Sequence, residues 1–370
     1  MIEVNGAFAV AKTMTDDVED YAVAQIKQLC DQEAFKDCVI RLMPDVHPGK
    51  VGPIGFTSTV GSKIMPAVVG VDIGCGMTMA KLSKKCRVDF QKLDKVISSR
   101  IPGNTAKRNS VHRFAEDIDL SQLHCAEHVD HDRAKKSIGT LGGGNHFIEL
   151  DRDERGDAYI IIHSGSRYLG KAVCDSYMKK GCENLKQTGG NIPYELTWID
   201  GSLKDDYLHD MAIVVDFARI NRMAILDEIV KGMKWKTGEP VSCAHNYIDT
   251  GSESPIIRKG AISAQKGEQV IIPINMRDGV ILGKGKGNAD WNYSAPHGAG
   301  RIMSREQVMA NYTVSQFKKE MKNIYSPSIG KGTLDEAPFA YRDLESIAGA
   351  IKETVEVTTI VKPIYNFKGA

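Results

Sequence analysis

No stretch of the 370-residue chain approaches the roughly 18 to 20 consecutive apolar residues of a membrane span. The opening MIEVNGAFAVAKTMTDD has neither the charged start nor the long apolar run of a secretion signal. A soluble, cytoplasmic protein is expected. There is no CxxC: the eight cysteines, at 30, 38, 75, 86, 125, 174, 182 and 243, follow no regular spacing, which argues against a disulfide framework or a zinc ribbon. Most should be buried thiols in a reducing compartment. Net charge is nearly absent, with 48 Lys and Arg against 47 Asp and Glu, leaving +1. No global field therefore draws the chain to nucleic acid or anionic lipid, and a polyanion would have to be met by a local patch. Neither a repeat of 20 to 50 residues nor a Pro/Ser-rich linker divides the chain. Aromatics are only 7%, but 42% of residues are apolar and 26% charged, which excludes disordered and fibrous classes.

The elements that can be read are mixed. Thr15 followed by Asp16, Asp17 and Glu19 starts a helix whose stripe is Val18, Ala22, Ile26 and Leu29. From Asp205 to Lys231 the residues Met211, Val215, Ala218, Ile225 and Ile229 keep near-helical spacing, and Gly232 is the expected stop. β-rich runs occur at 38–43, 158–163, 269–274 and 357–365. Without a βαβ rhythm the class is α+β. The 35 glycines exceed the usual ~7%, and many flank polar residues: DIGCGM, LGGGNHF, HSGSR, GKGKGNAD, HGAGR. Glycine there lets backbone approach a ligand.

Five good transition-metal donors stand in such turns or at strand ends: Asp72, Cys75, His146, His163 and His245. Any one alone would be an ordinary core residue, and sequence does not bring them together. If they converge, five donors including a thiolate exceed one tetrahedral site, and a thiolate can bridge two ions. Two ions clamp the attacking and leaving oxygens of a phosphoryl displacement. The ligand set by itself favours zinc. Separately, His297 in SAPHGAGRIMSR is flanked by Gly298 and Gly300, which leave room for a bulky electrophile, with Arg301 close in sequence to neutralise phosphate. LGGGN and GKGKGN are neither a Walker A nor a Rossmann fingerprint, and HSGSR is not a nucleophile elbow. His124, His128 and His131 are read as a polar, solvated run. The basic runs Lys84, Lys85, Arg87 and Lys318, Lys319, Lys322 are likewise read as solvated faces.

In this order, MPDVHPGK, VGVDIGCGM, LGGGNHFIEL, IIHSGSR, HNY, RKGAISA, HGAGRIMSR, AYRDLESI and a terminal KG resemble the RtcB family of RNA-splicing ligases, from Met43 to Gly369. The resemblance implies one large α+β domain over residues 1–370. It implies a ligase that uses GTP and two manganese ions to join an RNA 3′-phosphate or 2′,3′-cyclic phosphate to a 5′-hydroxyl, in tRNA splicing or RNA repair. By similarity one ion would be held by Asp72, Cys75 and His146 and the other by Cys75, His163 and His245. Manganese replaces the zinc reading, and since zinc binds such donors more tightly, occupancy must rest on geometry and supply. His297 would carry GMP. The nucleotide pocket maps onto Asn145, His146, Phe147, Ile148, Glu149, His245, Asn246, Pro273, Ile274, Asn275, Met276, His297, Gly298, Ala299, Gly300 and Lys368. Arg167 would grip RNA phosphate. An archease-like activator is a further expected partner, and no membrane is.

The chain departs from the family within that pocket. Where better-known members read PGSMG, it reads Pro273, Ile274, Asn275, Met276, Arg277, then Asp278 and Gly279; a family serine becomes Val280, and CSHGAGR becomes APHGAGR with Ala295 and Pro296. These changes leave the metal donors intact and mark a divergent subgroup in which base choice, GTP or ATP, is the open point. Two other classes compete: a metal-dependent phosphoesterase that processes 2′,3′-cyclic phosphate ends without ligation, which would not need His297, and a non-catalytic RNA-binding protein, which would not need the ligands.

Overall fold

The computed structural model describes residues 1–189, 192–251 and 254–369. Helices and two large sheets are interleaved, as the α+β reading expects. One sheet has six strands in the order Glu3–Asn5, Val10–Thr13, Ile40–His47, Ile54–Thr59, Ile256–Lys259, Asn246–Asp249. The other has seven, in the order Gln269–Asn275, Gly279–Gly285, Val355–Lys368, Phe147–Arg152, Ala158–Ser164, Gly76–Lys81, Val241–Ala244. All its neighbours are antiparallel.

A 33-residue helix, Gly201–Met233, joins the two layers; at ~1.5 Å per residue it is about 50 Å long. Its first half buries Tyr207, Met211, Val214 and Phe217 in a core shared with Ile40, Leu42 and Phe56 of the six-stranded sheet. Its second half buries Ile225, Leu226, Ile229 and Met233 against Ile148, Leu150, Ile160 and Ile162 of the seven-stranded sheet. Helix Phe90–Arg100 closes that second core with Leu93 and Ile97, its N-terminus capped by Asp89, which accepts the Lys92 N–H at 2.9 Å.

The expected elements are present with shifted ends. The first helix runs Asp20–Cys30; Thr15 instead accepts the Asp17 N–H at 3.1 Å and closes a turn ahead of it. Gly232 is not the stop. A Cβ there would sit 2.5 Å from Val96, so this glycine serves helix contact, and Lys234, in the left-handed region at φ 58°, ends the helix. Helix Arg167–Gln187 was not legible, because two glycines and scattered charges blur its stripe. Among the described residues no helix is long and apolar enough to cross a membrane.

Candidate active site

Four adjacent strands of the seven-stranded sheet bring their ends to one edge. The register sets His163 opposite both Phe147 and Met77, and Gly76 opposite both Ser164 and Ala244. Residues just outside or at those ends, His146, His163, Cys75 and His245, therefore stand in a row although they span 170 positions in sequence. Cys75 Sγ lies 3.4 Å from His146 Nε2 and 3.3 Å from His163 Nε2. His163 Nε2 lies 3.3 Å from His245 Nε2, and His146 Nε2 lies 3.2 Å from Asp72 Oδ2.

Tautomers follow from the other ring nitrogens. His146 Nδ1–H donates to the Leu141 carbonyl at 2.8 Å and His163 Nδ1–H to the Asn145 carbonyl at 3.1 Å. Their Nε2 lone pairs then point at one another's neighbours and at the thiol. Burial holds His163 and His245 well below the usual histidine range, so both are neutral and ready to bind a cation. Burial, and next to it Asp72, raises the Cys75 thiol. Donor atoms sharing one ion tetrahedrally at roughly 2.0–2.3 Å lie roughly 3.3–3.7 Å apart, close to the 3.2–3.4 Å found here. The donor set, with the Nε2 lone pairs of His146 and His163 turned toward a thiol that can lose its proton, fits a cation.

Close approach is secured by glycine. A Cβ on Gly165 would sit 2.0 Å from Asp72 Oδ1, and one on Gly142, at φ 88°, would sit 2.7 Å from His146 Nδ1. The loops are braced from the long helix by two buried polar residues. Asn221 Oδ1 accepts the Gly139 and Thr140 N–H groups at 2.8 and 3.1 Å, and its Nδ2 donates to Ser164 Oγ at 3.0 Å. Arg222 donates to the Gly74 and Ser164 carbonyls at 2.9 and 3.0 Å and to Thr78 Oγ1 at 3.0 Å. Gly74 precedes Cys75 and Ser164 follows His163, so one guanidinium ties two ligand strands together.

His297 follows the short strand Ser294–Pro296 and packs edge-on against His245, ring centres 4.8 Å apart. Its Nδ1–H donates to Asp45 Oδ2 at 2.7 Å. Since a carboxylate only accepts, the Nε2 of His297 carries the free lone pair. Asp45 is wholly buried and its other oxygen has no partner among the described residues. Two cavities meet at His297. One, of about 350 Å³, is lined by His47, Phe147, Glu149, Asn275, Met276 and Lys368; the other, of about 460 Å³, is lined by Lys50, Asp72, Cys75, Asn145, Asn246 and Lys259. Pro273, Ile274, Gly298, Ala299 and Gly300 also line the first.

Two expected pocket residues have other surroundings. Ile148 is buried in the core on the opposite face of its strand, because Phe147 and Glu149 take the cavity side and alternation sends 148 away. His146 faces the thiol. Arg167 donates to the Asn104 carbonyl at 2.6 Å and Thr140 Oγ1 at 3.3 Å, with Asp72 near it. His124 meets His209 of the long helix, ring centres 4.6 Å apart, and not the other two histidines of its run. Of the altered segment, Val280 is core and Arg277 pairs with Asp278 at 2.8 Å and with Glu320; neither lines the cavity.

Residues that sequence did not single out complete the site. Glu336, buried, accepts from Lys368 Nζ at 2.8 Å, Arg305 at 2.7 Å and Tyr341 at 2.6 Å. Burial alone would raise its carboxyl, but Lys368 and Arg305 prevail and hold it at about 2. Glu149 has the opposite balance: burial pushes it up to about 7, against the opposing pull of Asn366, whose amide donates at 2.6 Å, and of Lys368. Asp45 and His47 stood in plain view inside MPDVHPGK, and a polar pair on the buried stripe of a helix was the available sign of Asn221 and Arg222. Nothing marked Glu336.

Comparison with known proteins adds to this geometry. The family model described as tRNA-splicing ligase RtcB matches residues 25–369. The chain belongs to the RtcB family. It is 30% identical over 367 residues to the RNA-splicing ligase RtcB of Escherichia coli, covering 89% of this chain and 90% of that protein. It is 26% identical over 432 residues to the tRNA-splicing ligase RtcB of Aeropyrum pernix, with 89% of each chain covered. With the RNA-splicing ligase RtcB of Mycobacterium tuberculosis the identity is 25% over 394 residues, 83% of this chain and 91% of the other.

Proposed function

We propose that this RtcB family member is a GTP- and manganese-dependent RNA ligase, one domain over residues 1–370, that joins RNA 3′-phosphate or 2′,3′-cyclic phosphate ends to 5′-hydroxyl ends. The observation that carries the reading is His297, held by Asp45, between two cavities and beside five clustered donors. A phosphoesterase working through the metal donors would not need an imidazole oriented there.

Asp72, Cys75 and His146 would hold one manganese ion and Cys75, His163 and His245 the other; bound there, the ions supply Lewis-acid neutralisation of phosphate charge. Asp45 keeps the proton on Nδ1, so Nε2 of His297 attacks the α-phosphorus of GTP; a P–N bond forms and pyrophosphate departs. Imidazolium character developing on the ring is stabilised by the buried Asp45 carboxylate. An oxygen of the RNA 3′-phosphate then takes the GMP, breaking the P–N bond and making a phosphoanhydride. The 5′-hydroxyl attacks the RNA phosphorus and GMP leaves. A bare 3′-phosphate has no good leaving group; guanylylation provides one. We place the nucleotide in the cavity with Phe147, Glu149, Met276 and Lys368, and the RNA end in the cavity with Lys50 and Lys259.

The test is ligation of a 5′-hydroxyl, 3′-phosphate RNA with GTP and manganese, beside the His297→Ala chain. Joined product that requires GTP and His297 is expected. Opening of cyclic phosphate ends without joining, indifferent to both, would replace this reading with the phosphoesterase.

A further inference from the structure

Lys84, Lys85 and Arg87 of one basic run and Lys322 of the other, which read as solvated faces, lie on one groove. Three adjoining depressions, of about 490, 270 and 720 Å³, share walls: the first two share Arg152, and the last two share Ser83, Cys86 and Val88. Lys322 stands on the first, Lys84 and Arg155 on the second. Lys85, Arg87, Lys92, Lys234 and Lys236 line the third. Nine cationic side chains thus face two carboxylates, on a chain whose net charge is +1. Both carboxylates are engaged. Asp157 takes Lys81 at 2.5 Å, and Asp89 caps helix Phe90–Arg100. Of the nine cations only Lys84 makes an ion pair among the described residues, a long one at 3.9 Å to Asp157. Lys362 stands directly across the ladder from Arg152, a like-charge pairing that Asp278, near Lys362, offsets only in part.

The floor of the first depression is aromatic. Tyr325 stacks on Phe90 at 5.4 Å and 27°, and on Tyr365 at 5.8 Å and 14°. Its ring is held flat while the residue stays 39% exposed. An ordered aromatic face beside a cationic track is the arrangement that binds single-stranded nucleic acid, bases stacking and phosphates paired, without sequence preference. An acidic protein surface would use the cations but has no call on the stacked ring. Arg152 ends the strand that starts beside His146, six residues or about 20 Å away. The groove therefore lies beyond the reach of the terminal nucleotide; Arg152 shares the Ile148 face of the strand and not the Phe147 and Glu149 face, so only an RNA of several nucleotides that passes round the end of the sheet would meet it.

We propose that this groove binds the single-stranded body of the RNA several nucleotides from the end being joined. The inference rests on the ligase reading. Its test is the Lys85→Ala, Arg87→Ala, Arg152→Ala chain, three exposed positions outside the catalytic machinery, with Lys322→Ala, Tyr325→Leu as a second variant. Binding of labelled RNAs of about 20 and about four nucleotides is measured across a salt series, beside GMP labelling of His297. The longer RNA should bind the triple variant about tenfold more weakly, with a salt slope reduced by roughly 2, since each lost contact to a single strand removes about 0.7. The shorter RNA and the labelling should be unchanged. A triple variant that binds the longer RNA like the parent would overturn the groove and leave it to an acidic protein. A parent chain that never labels His297 would instead defeat the ligase reading itself.

Discussion

Asp45 offers a separation of stability from activity. Among the described residues it is a wholly buried carboxylate with one side-chain partner, His297, and one oxygen with none. Leaving a buried carboxylate half-satisfied costs folding free energy, on the order of 1–3 kcal/mol for the unmet group. Replacing it with Asn or Ala removes that cost but also takes the charged acceptor from the His297 Nδ1–H, a loss of similar size, so the melting temperature should stay close to the parent's. The same change removes a charge-assisted hydrogen bond that fixes the His297 tautomer, worth about 1.5–3 kcal/mol. At about 1.4 kcal/mol per tenfold, GMP transfer to His297 should slow by roughly 10- to 150-fold in Asp45→Ala. Asp45→Asn keeps an acceptor but no charge, so it should fall between. Single-turnover labelling with α-labelled GTP, read beside thermal melts of the same samples, makes the comparison. An Asp45→Ala chain that labels at the parental rate would refute the role assigned to Asp45, and one that labels slowly only because it has melted would refute the separation.

The metal reading predicts stoichiometry: two manganese ions per parent chain by elemental analysis, about one after Asp72→Ala or His245→Ala, and none after Cys75→Ala, because only the thiol is shared. Because burial and Asp72 raise that thiol, loading must expel its proton, so manganese affinity should rise with pH through the neutral range. Arg222→Met removes three donors from buried acceptors and should cost about 3–5 kcal/mol of stability; a melt within a degree of the parent's would show that the brace is dispensable. Glu149 is raised from 4.5 to about 7 in the fold, so its contribution is full below pH 4.5 and lost as pH rises through 7. Asp151, raised by burial and by Glu149, adds a loss of the same sign, so Glu149→Gln should reduce the fall of stability with rising pH without removing it, and a profile unchanged from the parent's would contradict the assignment.

Much of this was legible as residue identity and little as arrangement. The α+β class followed from interspersed runs, and the strand runs at 158–163 and 269–274 lie within a residue or so of the strands found. Cys75, His146, His163 and His245 could be named as donors because each sits in a turn or at a strand end. Their convergence depends on antiparallel register between strands up to 170 residues apart, which no local pattern carries. Ile148 shows the limit of transferring a block whole: neighbours on a strand face opposite ways, so one member of a pocket motif is core. The basic run at 84–87 and Lys322 looked like ordinary solvent faces because the groove they border is assembled across the fold.

The central claim is that His297 becomes covalently joined to a nucleotide. The direct measurement is denaturing electrophoresis of the chain after incubation with manganese and α-labelled GTP or ATP, parent beside His297→Ala. Acid-labile label from GTP, absent from the variant, is the predicted result; label from ATP instead would keep the chemistry and assign base choice to the altered 273–280 segment. No label from either nucleotide, in a chain shown to hold its metal, would contradict the account.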